Sequence, residues 1–205
     1  VGAFIVFEGG EGSGKSTQAK IVYRSLLFRG HPALLTHEPG GTVLGERVRR
    51  MVKGHGEVTP LGWLFLFSAA RAQLVQEVIR PALAEEITVV CDRYTSSTIA
   101  YQGYGHGVDM SAVRAATDAA TEGLQPDLVV LLDGPPELGL QRKGEEKRDR
   151  FEAEALEFHE RVRRGYLELA GAEPERWLVV DASLSREQAA ETIWKRVEPL
   201  LKESD

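Results

Sequence analysis

The chain carries near its start the stretch FIVFEGGEGSGKST, residues 4–17, which decides its fold. Gly9 and Gly14 stand five positions apart and Lys15 and Ser16 follow, which completes the pattern Gly-x-x-x-x-Gly-Lys-Ser/Thr. The apolar residues before this pattern predict a strand, and the residues from Gln18 to Arg29 predict a helix. A strand that leads into the loop and a helix that begins where it ends are the context that a phosphate-binding loop requires.

Such a loop binds phosphate through its backbone, because glycines let successive N–H groups surround the phosphate oxygens and the helix N-terminus adds partial positive charge. Lys15 can reach the β- and γ-phosphates, and the Ser16 hydroxyl can bind Mg²⁺. The alternative is a glycine-rich turn followed by an incidental Lys-Ser, and it does not explain the flanking strand and helix. We therefore predict a nucleoside triphosphate site formed by Gly10, Glu11, Gly12, Ser13, Gly14, Lys15, Ser16 and Thr17.

Composition limits the remaining possibilities. The 205 residues are 42% hydrophobic and 27% charged, which predicts one globular domain over residues 1–205. A net charge of −6 argues against a nucleic-acid polymer as partner. No apolar run approaches the roughly 18 residues of a membrane span, and residues 1–7 are too short for a signal peptide. We expect a cytoplasmic protein that does not bind a membrane, with its single cysteine, Cys91, as a buried core thiol.

Five short apolar runs alternate with longer segments of helical spacing, such as Thr59–Leu83. Runs without polar alternation are typical of parallel strands that are buried on both faces. The sequence thus predicts an α/β fold, a doubly wound five-stranded parallel sheet with helices on both faces. The predicted strands are Ala3–Phe7, Ala33–Thr36, Ile87–Cys91, Leu128–Leu132 and Trp177–Val180.

Ligands of such sheets bind beyond the carboxyl ends of the strands, so the polar residues that follow each run are candidate site residues. An arginine, Arg93, follows the third run within Asp92-Arg93-Tyr94, and a cation there suits a second anionic ligand. Asp92 could either bind Mg²⁺ or position Arg93. The sequence has no Asn-Lys-x-Asp motif of the kind that reads guanine in GTPases. The other runs lead to the phosphate loop, to His37-Glu38-Pro39-Gly40-Gly41-Thr42, to Asp133 and to Asp181-Ala182-Ser183.

Two further features concern the second ligand and the transferred group. Phe67 lies one helical turn before Arg71, so a ring and a guanidinium could together bind a planar base, unless Arg71 is an arginine at the helix surface. The segment Gln141–Glu152 is rich in cations. It is either a solvated helix face or a short mobile lid that closes arginines over a transferring phosphoryl group. Its cations are Arg142, Lys143, Lys147, Arg148 and Arg150.

The chain resembles the thymidylate kinases of the bacterial type, a family of P-loop nucleoside monophosphate kinases, over nearly its whole length. The resemblance implies transfer of phosphate from ATP, with Mg²⁺, to dTMP, and it implies a homodimer. The segments that carry it are Phe4–Thr17, Glu38–Thr42, Phe67–Arg71, Asp92-Arg93-Tyr94 with Ser97, Tyr101, Gln102 and Gly103, Asp149–Glu152, and Asp181-Ala182.

The resemblance also implies roles for single residues. Glu11 would contact the sugar of the monophosphate, Phe67 would stack on thymine, and Arg71 would donate to a base carbonyl. Arg93, with Arg49 as a second arginine, would bind the acceptor phosphate. Tyr101 would crowd the 2′ position of the sugar, and Ser97 and Thr98 would read the base edge. The predicted substrate-binding residues are Glu11, Glu38, Pro39, Arg49, Phe67, Arg71, Arg93, Ser97, Thr98, Tyr101 and Gln102.

On the donor side, the resemblance assigns Asp181 and Ala182 to the surroundings of adenine. The candidate metal-binding residues are Ser16, from the phosphate-loop pattern, and Asp92, which could instead position Arg93. The phosphate loop contains no arginine, so the lid is expected to supply the catalytic cation. Its identity stays open, and Arg150 matches the family motif best. The predicted catalytic residues are Lys15, Arg93, Arg142, Arg148 and Arg150.

The sequence departs from the family pattern at His37, where an arginine is common, and in the short glycine-rich stretch at positions 53–56. Two alternative functions remain. One is a P-loop kinase for another small acceptor, such as dUMP or a deoxynucleoside. The other is a regulatory NTPase that hydrolyses its nucleotide slowly and has no acceptor.

Overall fold

The computed structural model describes residues 2–54, 57–143, 151 and 154–201. Five parallel strands form one sheet in the order β2-β3-β1-β4-β5. The predicted five-stranded parallel sheet is therefore confirmed, and each predicted strand lies within two residues of its observed bounds. The strands are β1 (Phe4–Gly9), β2 (Ala33–His37), β3 (Thr88–Asp92), β4 (Leu128–Asp133) and β5 (Trp177–Asp181).

Helices cover both faces of the sheet, which is why its central strands show no polar alternation. On one face, Ile5 and Phe7 of β1 pack with residues of α1 and α9. On the other face, Phe4 and Val6 pack with residues of α3 and α4. The helices are α1 (Lys15–Phe28), α2 (Val43–Lys53), α3 (Pro60–Leu74), α4 (Arg80–Ala84), α5 (Thr95–Thr98), α6 (Met110–Thr121), α7 (Pro136–Lys143), α8 (Leu156–Ala172) and α9 (Arg186–Val197).

The predicted long helix Thr59–Leu83 is interrupted. Thr59 is the N-cap, and its side chain accepts a hydrogen bond from the backbone N–H of Gly62 (3.1 Å). A π-helical turn, Val75–Ile79, then separates α3 from α4. Pro81 explains the break, because a proline has no N–H to donate and its ring crowds the preceding turn. A second π-helical turn, Ile99–Gly105, continues α5.

The register of the strands brings the candidate residues to one edge of the sheet. Phe7 of β1 pairs with Asp92 of β3, and Gly9 pairs with Leu132 of β4. The phosphate loop consequently leaves the sheet between the ends of β3 and β4, as ligand-binding loops do in this class of fold.

Cys91 is buried in β3, as predicted, and burial raises the pKa of its thiol. Among the helices of residues 2–54, 57–143 and 154–201, none combines the length and the apolar character needed to span a bilayer.

Candidate active site

The phosphate loop has the backbone that its glycines predict. Gly12 and Gly14 have φ of 64° and 93°, in the left-handed region that glycine enters without a steric cost. Helix α1 begins at Lys15, directly after the last glycine of the loop. Its start is three residues before the predicted start at Gln18. Lys15 is 7% exposed, and its Nζ donates to the carbonyl of Gly10 (3.1 Å). The loop therefore curls around the lysine, and the N-terminus of α1 points into its opening.

Helix α7 packs directly on this loop through two glycines. A Cβ on Gly12 would lie 2.0 Å from the carbonyl oxygen of Gly139, and a Cβ on Gly139 would lie 1.9 Å from that of Glu11. The two backbones thus approach closer than any side chain allows. This contact joins the loop to the helix that leads into the predicted lid.

A cavity lies beside the loop, and it brings together all eleven predicted substrate-binding residues. The cavity also reaches Lys15, Ser16 and Asp92. It leaves about 990 Å³ of space free of atoms, part of which is open to solvent. The lining residues are Glu11, Lys15, Ser16, His37, Glu38, Pro39, Arg49, Val52, Lys53, Phe67, Arg71, Asp92, Arg93, Ser97, Thr98, Tyr101, Gln102 and Phe151.

Arg71 is one of the most deeply buried side chains of the protein, at 2% exposure. The alternative of an arginine at the helix surface is therefore wrong. Its Nε and Nη2 donate to Oε2 of Glu38 (2.8 and 2.6 Å), and Nη2 also donates to the carbonyl of Tyr94 (3.0 Å). Its Nη1 is buried and forms no hydrogen bond with the described residues. Because such a donor is costly to bury unpaired, a ligand that offers it an acceptor is favoured.

An apolar wall stands next to this donor. Phe67 stacks on Trp63, with ring centroids 5.4 Å apart, and lies 5.8 Å from the ring of Phe151. Gln102, also in the cavity, is 1% exposed, and its Nε2 forms no hydrogen bond within the described chain. A flat ring with polar atoms on its edge fits an aromatic wall flanked by buried donors.

Arg93 also lines the cavity, and its guanidinium contacts four side chains. Nη2 donates to Oε1 of Glu11 (2.6 Å) and to the hydroxyl of Tyr101 (3.2 Å). Nη1 donates to the hydroxyls of Ser97 (3.1 Å) and Tyr166 (3.3 Å). Burial opposes the charge of Arg93, but these neighbours outweigh it and raise the pKa of the guanidinium above its ordinary value. Arg93 is a permanent cation.

The Glu11 carboxylate pairs with other side chains of the cavity. Its Oε1 accepts from Arg93 and from the hydroxyl of Tyr101 (2.6 Å each). The charge of the carboxylate is thus balanced by the protein itself, and Tyr101 is held in place by the same oxygen. Contact with a sugar hydroxyl stays a prediction.

Ser16 and Asp92 meet at the bottom of the loop, where the Ser16 hydroxyl donates to Oδ2 of Asp92. The other carboxylate oxygen, Oδ1, is buried and has no hydrogen-bond partner among the described residues. Oxygen ligands of this kind suit Mg²⁺, which takes one or two protein ligands and keeps several waters. In the described part of the chain, no three His, Cys, Asp or Glu side chains form a metal cluster. This pair therefore fits a metal that is bound mostly by phosphates and water.

The donor side of the loop has its own cleft, which Gly10–Ser13, Asp133, Arg142, Arg163 and Ala182 help to line. Nη1 of Arg142 donates to the carbonyl of Ala182 (3.3 Å) and lies 3.5 Å from the carbonyl of Gly12. Asp181 ends β5 and accepts from the backbone N–H of Ser183 (2.7 Å), which lowers the pKa of its carboxyl. The predicted catalytic residues Arg148 and Arg150 lie outside the described residues, as do Lys147 and Asp149.

Some residues of the site were not predicted from the sequence, and three of them matter most. Glu8 is fully buried, Tyr166 of α8 donates to Glu8, and Phe151 closes the aromatic wall. Glu8 could have been noticed, because it is the one charged residue within the apolar run of β1. Tyr166 carries no such signal, since it is 158 residues away from Glu8 in the sequence.

Comparison with known proteins agrees with this geometry. A family model described as thymidylate kinase matches residues 7–193. The chain is 50% identical to the thymidylate kinase of Dehalococcoides mccartyi over 201 residues, which is 97% of each chain. It is 50% identical to the thymidylate kinase of Deinococcus radiodurans over 198 residues, 96% of each chain. A crystal structure of thymidylate kinase from Ehrlichia chaffeensis superposes with a TM-score of 0.79 at 31% identity, covering 96% of this chain and 98% of the other.

Proposed function

The chain belongs to the thymidylate kinase family, and from this premise we propose that it transfers the γ-phosphoryl group of ATP to dTMP, which gives ADP and dTDP. One observation carries the proposal. A single cavity joins the phosphate-loop lysine, Lys15, to Arg93 and to the base-sized recess between Phe67 and Arg71. A kinase with a nucleoside monophosphate acceptor needs two sites that bind phosphate and one aromatic recess for the base.

The acceptor binds with its base against Phe67 and a base carbonyl on Nη1 of Arg71. This orientation directs its phosphate toward Arg93. Ribose is disfavoured because Tyr101 is 6% exposed and fixed by Glu11 and Arg93, so it cannot move away from a 2′-hydroxyl. The nucleotide site thereby selects a deoxynucleotide with a pyrimidine base.

ATP is the phosphoryl donor and binds along the donor cleft. Its phosphates lie against the backbone N–H groups of the loop and the N-terminus of α1. Its adenine lies near Asp181 and Ala182. Ser16 and Asp92 would hold Mg²⁺, which would supply positive charge to neutralise the phosphates. Arg142 joins the loop carbonyl of Gly12 to Ala182 across this cleft.

The acceptor phosphate oxygen attacks in line. It needs no strong general base, because a phosphate monoester is already ionised near neutral pH. The protein therefore catalyses by positioning and by neutralising charge. Lys15 acts from the donor side and Arg93 from the acceptor side. The remaining cation is supplied by the lid, segment 141–152, from among Arg142, Arg148 and Arg150, and lid closure excludes water.

The alternative functions leave parts of the site without a role. A deoxynucleoside acceptor would leave Arg93 without a phosphate. A regulatory NTPase would leave the recess at Phe67 and Arg71 unused. The choice between dTMP and dUMP is finer, because the two bases differ by a single methyl group, which is worth only about 1–3 kcal/mol in an apolar pocket.

The function is tested by ADP release in the presence of ATP, Mg²⁺ and one acceptor at a time. We expect dTMP to give the highest kcat/KM, followed by dUMP, while thymidine, dAMP and dGMP give less than about one hundredth of the dTMP value. A preference for a purine monophosphate, or ADP release at the same rate without an acceptor, would show that the proposal is wrong.

Contact between α7 and the phosphate loop leads to a prediction for the donor side. Gly139→Ala places a methyl group against the carbonyl of Glu11 and displaces the loop, so kcat/KM for ATP falls about 10- to 100-fold. Gly171→Ala, in α8, is the matched control, since a Cβ there meets no atom within 4 Å. Steady-state kinetics with ATP as the varied substrate measure both variants. Equal kinetics for the two variants would contradict the packing role of Gly139.

We also propose a cytoplasmic homodimer. Helix α3 offers an apolar surface for the contact, because Leu61 and Phe65 are 47% and 58% exposed. Analytical ultracentrifugation tests the assembly, and a monomer at micromolar concentration would exclude it.

A further inference from the structure

The carboxylate of Glu8 is a buried ionisable group that the mechanism above does not use. Glu8 is the next-to-last residue of β1 and is 0% exposed. Its Oε1 accepts hydrogen bonds from the backbone N–H groups of Tyr94 (2.9 Å) and Ser97 (3.1 Å). Its Oε2 accepts from the hydroxyls of Ser97 (2.6 Å) and Tyr166 (2.9 Å). Four donors therefore converge on one carboxylate.

Two of these donors are also the groups that Nη1 of Arg93 contacts. A guanidinium only donates hydrogen bonds and a carboxylate only accepts them. The hydroxyls of Ser97 and Tyr166 lie between the two, so each accepts from Arg93 and gives its single hydrogen to Glu8. The short contact between the two hydroxyls (2.9 Å) then contains no hydrogen. When Glu8 is ionised, it therefore orients the hydroxyls of Ser97 and Tyr166 so that their lone pairs face Arg93.

Strand β1 also holds the backbone of Arg93. Arg93 has φ of 75°, a left-handed conformation that costs free energy for a residue with a side chain. Its N–H donates to the carbonyl of Phe7 (2.9 Å), and the next N–H, that of Tyr94, donates to Glu8. Phe7, the residue before Glu8, and the Glu8 side chain therefore keep this conformation in place.

We propose that Glu8 is a positioning residue for phosphoryl transfer, which orients the Ser97 and Tyr166 hydroxyls toward Arg93 and holds the backbone that presents Arg93 to the acceptor phosphate. This inference rests on the proposed function. Burial raises the pKa of Glu8, and hydrogen bonding from Ser97 and the charge of Arg93 offset only part of that effect. A glutamate that only stabilised the fold would have no effect that depends on the acceptor phosphate.

The variant Glu8→Gln keeps the size of the side chain but replaces an acceptor oxygen with an NH₂ donor. If the NH₂ faces the hydroxyls of Ser97 and Tyr166, at least one hydroxyl turns its hydrogen toward Arg93 and repels it. If the NH₂ faces the backbone N–H groups of Tyr94 and Ser97, it repels those donors and displaces the backbone next to Arg93. We expect kcat with dTMP to fall about 10- to 100-fold, as is common when the groups that orient a site residue are changed. Calorimetric titration should show that the preference for dTMP over thymidine falls about tenfold, with thymidine affinity unchanged.

Tyr166→Phe removes one hydroxyl of the relay, and its effect on the dTMP-to-thymidine preference should not add to that of Glu8→Gln, because both act through the same contact. Tyr104→Phe is the matched control. It also breaks a hydrogen bond between a tyrosine and a glutamate, from Tyr104 to Glu168 of α8 (2.7 Å), but this hydrogen bond is exposed. We expect its kinetics to equal those of the wild type.

Three outcomes separate this inference from the function on which it rests. If the wild type does not phosphorylate dTMP, the proposed function is wrong. If the wild type is active and Glu8→Gln either matches it or loses dTMP and thymidine affinity equally, Glu8 does not position Arg93. If Glu8→Gln does not fold, as judged by circular dichroism, Tyr166→Phe decides, and an unchanged dTMP-to-thymidine preference in that variant overturns the inference.

Discussion

Arg93→Ala is expected to lower kcat about a thousandfold, which is the lower end of what a charge-neutralising arginine contributes to phosphoryl transfer. Among the described residues of the acceptor side, the Arg93 guanidinium is the one cation that contacts four side chains, and its side chain is only 17% exposed. Without it, the acceptor phosphate approaches the γ-phosphate with its charge unbalanced, and the Glu11 carboxylate adds to the repulsion. The KM for ATP should change little, because the phosphate loop is intact. Initial rates at saturating ATP and dTMP measure the effect.

Two further variants control for charge and for folding. Arg93→Lys keeps the charge but loses the planar fork that contacts Glu11, Ser97 and the tyrosines, so its kcat should lie between those of the wild type and Arg93→Ala. Arg164→Ala removes a guanidinium that is 64% exposed and pairs with Glu168 at the surface, and its kcat should equal the wild-type value. A loss of less than tenfold in Arg93→Ala, with the fold intact by thermal unfolding, would remove Arg93 from the mechanism.

Arg71→Ala is expected to have two large effects that can be separated. It leaves Glu38 buried without its partner, and breaking a buried pair in this way costs about 3–5 kcal/mol of the free energy of unfolding. It also removes the Nη1 donor, so dTMP affinity should fall about 10- to 100-fold. Urea unfolding without ligand measures the first effect. Calorimetric titration with dTMP measures the second.

The double variant Arg71→Met with Glu38→Gln distinguishes the two roles of the arginine. Neither side chain is then charged, so most of the lost stability should return, whereas dTMP affinity should stay low. ATP affinity should be close to that of the wild type in both variants. If the double variant regained dTMP affinity together with stability, the arginine would be a structural residue alone. An equal loss of ATP and dTMP affinity in the single variant would contradict its role in reading the base.

The sheet could be predicted because its physical cause lies in local sequence. Strands covered on both faces must be apolar along their whole length, and that pattern is visible in runs of five residues. The ends of the strands were predicted less accurately. Strands β3 and β4 each extend one residue beyond the predicted end, to Asp92 and Asp133. A strand continues as long as its backbone is paired, whatever the polarity of the side chain. The π-helical turn between α3 and α4 was not predicted, although Pro81 was visible in the sequence, because the helical spacing of the apolar residues continues up to Ile79.

The lining of the acceptor cavity was predicted mainly through the family resemblance and the spacing of Phe67 and Arg71. The partners of those residues were not. Glu38 lies 33 positions from Arg71 in the sequence, and Glu8 lies 89 positions from Ser97. Contacts of this length depend on how α3, α5 and α8 pack against the sheet, and no local pattern records that packing. The burial of Arg71 therefore became clear only from the structure. The same is true of the loss in the free energy of unfolding that we expect when Arg71 is removed.

The unpaired Nη1 of Arg71 has a consequence for inhibitor chemistry. A compound gains most from this recess if it places a neutral acceptor, such as an amide or lactam oxygen, in line with that nitrogen, because the donor is desolvated before the compound arrives. A scaffold with an amine or another N–H at that edge would bring two donors together and would lose affinity whatever its fit against Phe67. Fragments for the recess can therefore be selected first for an acceptor that faces Nη1 of Arg71, and only then for their shape.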